Sequence, residues 1–124
     1  KDTDISEKLK NIISAQFKFY SRYRNFLKIF LREFVDFGGE LGERLAKARS
    51  SLIQTVEGLL KSGMEEGNLA ASDPHVIAYA LIGAASLVAF QLLVRENREP
   101  DEASINELCN FCLYGIAPRP TLNS

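Results

Sequence analysis

Hydrophobic residues recur along this chain at three- and four-residue spacing, while period-two alternation is hard to find, so the pattern predicts helices and no strands. From Asp4 to about Gln16, residues Ile5, Leu9, Ile12 and Ile13 share one helical face. Asp4 followed by Glu7 predicts a capping box at the start of that helix. A second helix is expected from about Phe17 to Asp36, stopped by Phe37-Gly38-Gly39. No Gly or Pro separates these two segments, so the pattern leaves open whether they are distinct or one bent helix.

The second segment is the most informative. Phe19, Tyr23, Phe26, Phe30, Phe34 and Phe37 fall on one stripe, widened by Tyr20, Leu27 and Leu31. Ser21, Arg22, Asn25, Lys28, Arg32 and Asp36 define the opposite face. The apolar arc covers about half the circumference, more than a surface helix needs. Arg24 sits inside it, and a guanidinium in an apolar arc either finds a partner or snorkels past Phe17 and Val35 to water.

A third helix is expected from about Gly42 to Glu66, with Leu45, Ala48, Leu52, Val56, Leu59, Leu60 and Met64 as its stripe and Gly67-Asn68 as its stop. Ser72 or Asp73 caps a fourth helix with Pro74 in its first turn, running to about Glu96. Asn97 to Pro100 form a polar turn, Pro100 or Asp101 opens a last helix ending near Gly115, and residues 117–124 form a tail. The expected architecture is therefore all-α: one helical bundle of about five helices over residues 1–116.

The fourth helix is apolar on every side. Val76 to Val94 holds no charge and is nominally long enough to cross a bilayer. Its many small residues, with Tyr79 and Gln91, and its amphipathic neighbours instead suit a helix covered by protein. One side (Ile77, Leu81, Ala84, Val88, Leu92) is expected on the domain core. The other (Val76, Gly83, Leu87, Phe90, Val94) needs a second cover. Part of it comes from the last helix through Ile105, Leu108, Cys109, Cys112 and Ile116, and the rest from a second copy of the chain. The expected homodimer interface comprises Val76, Gly83, Leu87, Phe90, Val94, Ile105, Leu108 and Cys112.

Composition adds little to this and removes much. The 124 residues are 46% hydrophobic, enough for one core without staples. Net charge is −1, with no general pull toward nucleic acid. The first 32 residues hold eight Lys/Arg against three Asp/Glu, a basic third that suits either an adjoining DNA-binding module or a solvated helix face. Two cysteines in a C-x-x-C inside a helix, one His, and no phosphate loop or paired-carboxylate motif give no metal site, no cofactor and no enzyme. The chain starts at Lys1 without a signal-peptide pattern, so it reads as a reduced, cytoplasmic protein or a fragment of one. His75, two residues after Asp73, reads as a surface residue.

The run LLKSGMEEGNLAASDPHVIAYALIG, residues 59–83, resembles the C-terminal domain of the tetracycline-repressor family. The features that carry the likeness are Gly63, Gly67, Leu69, Asp73, Pro74 and Gly83, and the final Leu113-Tyr114-Gly115-Ile116 is similar to that family's closing segment. The resemblance implies that the last two helices form the dimer interface and the first four surround a ligand pocket. It also implies that the first helix links that pocket to a DNA-binding helix-turn-helix domain, which this chain lacks, so DNA is contacted only through that missing part. The pocket is expected to hold a small apolar or amphipathic effector among Tyr20, Arg24, Leu27, Phe30, Phe34, Val56, Leu60 and Tyr79, with Arg24 facing an anionic head group. The competing reading is a structural dimerisation bundle with no physiological ligand, in which those residues are core.

Overall fold

The computed structural model describes residues 4–33, 39–115 and 118; all structural statements concern these. They form α1 (Ile5–Arg22), α2 (Arg24–Glu33), α3 (Gly39–Glu65), α4 (Pro74–Ala89) and α5 (Glu102–Tyr114), with α4 continuing directly into a π-helical turn, Phe90–Arg95. No strand occurs among the described residues, and the all-α bundle is as the hydrophobic pattern predicts.

Helix ends follow local chemistry at three places. Gly67 takes φ +81, and Asn68 N–H donates to the Gly63 carbonyl at 2.9 Å while Gly67 N–H donates to that of Met64 at 3.1 Å. This is the paired bonding of a Schellman stop. Leu69 then folds back onto α3, where a Cβ at Gly63 would lie 2.8 Å from its Cδ1. The Gly63-x-x-x-Gly67-x-Leu69 spacing is thus a helix terminator with its hydrophobic clasp. Asp73 caps α4 by accepting from His75 N–H at 2.9 Å, with Pro74 first in the helix. Asp101 caps α5 by accepting from Ser104 N–H at 2.9 Å.

Elsewhere the expected boundaries are corrected. The first break falls at Tyr23 and not near Gln16, and no Gly or Pro makes it. Tertiary contacts override helix propensity there: the Phe19 ring meets Tyr23 at 4.9 Å and Phe26 at 5.3 Å across the break, and Glu99 bonds residues on both sides of it. The Asp4–Glu7 capping box does not form, because the Asp4 carboxylate accepts from the Ser6 hydroxyl at 2.8 Å and makes no capping bond to a backbone N–H of the helix. Helix α3 starts at Gly39, three residues before the expected Gly42.

The core has two parts joined by α1 and α4. Toward the α5 side, Ile13, Phe17, Tyr20, Leu27, Ala85, Ala89, Leu93, Leu108 and Cys109 are packed together. Toward α3, Leu9, Ile53, Val56, Leu60, Ala78, Leu81 and Ile82 form the other part. The buried face of α4 is therefore Ala78, Leu81, Ile82, Ala85, Ser86 and Ala89, with Leu81 where the pattern put it. The expected core positions Ile77, Ala84 and Val88 are only half-buried. Small side chains on that face let the other helices approach closely. The stretch Pro74–Arg95 is long and apolar enough to cross a membrane, and 44% of its most apolar window is buried inside the bundle.

Candidate ligand cavity

Helix α1 buries Leu9, Ile13, Phe17 and Tyr20 against α4 and α5, and the adjacent strip of its surface turns toward α3. That strip, Ile12, Ala15, Gln16 and Phe19 with the edge of Tyr20, faces Ala48, Arg49 and Leu52 of α3 and Phe26 of α2. Between them lies a cavity of about 390 Å³, within the size range of small-molecule sites. It exists because α2 turns away at Tyr23 and because the small Ala48 stands opposite α1. Within the described part of the aromatic arc, Tyr20 and Leu27 pack the core while Phe19 and Phe26 line the cavity.

The lining is apolar except at one end. Gln16, 8% exposed, donates from Nε2 to the Tyr20 hydroxyl at 3.5 Å. The Tyr20 hydroxyl lies 3.1 Å from that of Ser86, which is fully buried on α4. Arg49 also lines the cavity and is engaged by other groups. Phe19, 45% exposed, stands at the mouth, its ring 6.0 Å from that of Tyr20.

Of the residues expected to bind ligand, Tyr20 is the one the structure brings to this cavity. Leu27, Val56 and Leu60 are core residues, each at most 2% exposed. Tyr79 is exposed beside His75, whose Nδ1 pairs with Glu57 of α3. Arg24 points away. Its guanidinium donates to Glu99 at 2.5 Å, to Asn97 Oδ1 at 2.8 Å and weakly to the Leu93 carbonyl at 3.4 Å, so its partners come from the chain itself at the bundle surface. The Phe30 side chain and all of Phe34 lie outside the described residues. The residues missed are Ile12, Ala15, Gln16, Phe19, Phe26, Ala48, Arg49 and Leu52. Gln16 carried a usable signal, a polar side chain between Ile13, Phe17 and Tyr20 at helical spacing.

A second, shallower groove of about 370 Å³ runs between α4 and α5, lined by Ala84, Val88, Leu92, Ser104, Glu107, Leu108 and Phe111. Beside it Val76, Leu87, Phe111 and Tyr114 are about half exposed or more. Of the expected interface, Val76 and Leu87 are thus exposed, Gly83, Phe90, Val94, Ile105 and Cys112 half-buried, and Leu108 buried within the chain itself. Burial, then repulsion from Cys109, pushes the Cys112 thiol up to about 11, so it stays protonated and unreactive at neutral pH.

The described residues thus form an all-α bundle with a largely apolar cavity among α1, α2 and α3 and an apolar groove between α4 and α5. The chain matches the family described as "Tetracyclin repressor-like, C-terminal domain" over residues 2–90, and it belongs to that family. No curated protein matches it. Among solved structures, a Clostridium perfringens protein described as a fatty acid metabolism regulator shares the fold with a TM-score of 0.78 at 21% identity. The match covers 96% of this chain and 64% of that one, so the chain spans just under two thirds of that relative's length.

Proposed function

We propose that this chain is the effector-sensing and dimerisation domain of a transcriptional regulator. A small apolar or amphipathic molecule occupies the α1–α2–α3 cavity and thereby controls DNA binding by a helix-turn-helix domain joined ahead of α1. The observation that carries this reading is the cavity itself, apolar but for a buried polar end. Ile12 lines it from the same helix that would carry the DNA-binding head, so an occupant bears directly on α1. The second part is homodimerisation through α4, the π-turn and α5, supported by the exposed Val76, Leu87, Phe111 and Tyr114. Such an interface would bury on the order of 2,000 Å². The regulator would act in the cytoplasm.

Two measurements test it. Sedimentation velocity at micromolar concentration should give a dimer, and Leu87→Arg a monomer or aggregate; a stable wild-type monomer contradicts dimerisation. In the intact regulator, Ala48→Trp places an indole where an effector would sit. Operator affinity should then change by roughly 5- to 150-fold, the usual range of allosteric coupling. Unchanged affinity would favour the purely structural bundle, a reading that the tight packing of Leu27, Val56 and Leu60 otherwise supports.

A further inference from the structure

Gln16 is a polar side chain in the wall of an otherwise largely apolar cavity. Its side chain is 8% exposed, it borders the cavity, and its one hydrogen bond among the described residues is the long 3.5 Å contact to Tyr20. A primary amide offers two donors and a carbonyl acceptor, so most of its capacity is unused. The Tyr20 hydroxyl beside it is tied to Ser86 at 3.1 Å, which fixes the ring and its oxygen at the cavity's polar end.

We infer that Gln16 is the specificity-determining residue of this cavity, and that it selects an apolar molecule carrying an uncharged hydroxyl group. The inference rests on the cavity reading above and names the ligand chemistry. A hydroxyl is the group that uses what Gln16 offers: it donates to Oε1 and accepts from Nε2 at the same point. The amide orientation is interchangeable for this purpose. Ile12, Phe19, Phe26 and Leu52 then cover the aliphatic or aromatic remainder. A carboxylate is the weaker fit at this amide, because its charge would leave water for a neutral partner.

The test displaces the neutral dye Nile red from the chain with 1-decanol and with 1-chlorodecane, which share a tail and differ in the hydroxyl. The quantity read is the ratio of their displacing concentrations, wild type against Gln16→Leu, which cancels their different solubilities. The expected result is a loss of hydroxyl preference by roughly three- to tenfold in Gln16→Leu, the worth of one hydrogen bond. Gln16→Met provides the same comparison if the leucine variant folds poorly. An unchanged ratio overturns the inference and leaves the cavity reading standing. Decanoate displacing better than decanol, with that advantage lost in Arg49→Met, also overturns it in favour of anion recognition. Failure of the wild type to take up Nile red at all removes the cavity reading and this inference together.

Discussion

Arg24 and Glu99 meet at 2.5 Å, and the second oxygen of the same carboxylate accepts from Ser21 at 2.5 Å. One carboxylate from the α4–α5 connection therefore holds both sides of the break at Tyr23. Asn97, in the left-handed region at φ 52, completes the clasp by accepting from Arg24. Glu99→Ala should loosen the α1–α2 junction without unfolding the bundle. Exposed ion pairs are worth ~0.2–1 kcal/mol, and with Glu99 63% exposed the stability loss should lie in that range. Urea unfolding checks it; a loss well above that range would mean the junction is integral to the core.

The same carboxylate sets a pH dependence. Hydrogen bonding from Ser21, and then Arg24, holds Glu99 below its ordinary value of 4.5. The Ser104 amide at the α5 cap does the same for Asp101, whose ordinary value is 3.8. A folded-state value below the unfolded one means the contribution is complete above the ordinary carboxylate range. It is lost as pH falls through the lower folded values. Thermal stability should therefore decline below about pH 4.5, the unfolded-state range of these groups. The decline should be shallower in Glu99→Gln. Identical pH profiles for the two proteins would contradict the assignment.

The helix stop after α3 makes a separate prediction. Gly67 sits at φ +81 with open space around its Cβ position, so the cost of Gly67→Ala is conformational alone. A left-handed alanine costs about 1–2 kcal/mol, and asparagine less. Gly63→Ala should cost less than Gly67→Ala, because the clash is with the end of the flexible Leu69 side chain. Denaturant unfolding of the three variants gives the order; Gly67→Ala as stable as wild type would remove the Schellman stop from the account.

These stops were legible in the sequence because local chemistry determines them: Gly67 acts through its own backbone, and Asp73 and Asp101 through carboxylate oxygens that accept from amides two and three residues on. The break at Tyr23 was not, because distant partners, Glu99 and Asn97, make it. The same distinction explains Arg24. Its place in an apolar arc announced a need for a partner, and only the folded chain shows that Glu99 meets that need. The cavity was half legible. The breadth of the arc implied a second surface, but which strip packs and which lines a space depends on where α3 lies. Ala48, unremarkable in its stripe, decides that by being small.

The most direct test of the central claim is a Nile red fluorescence titration of the chain, wild type against Ala48→Trp, with circular dichroism to confirm equal helicity. The account predicts saturable uptake at one site per chain in the wild type, reduced at least tenfold where the indole fills the space between α1 and α3. No saturable uptake, or uptake unaffected by Ala48→Trp at equal helicity, would contradict it.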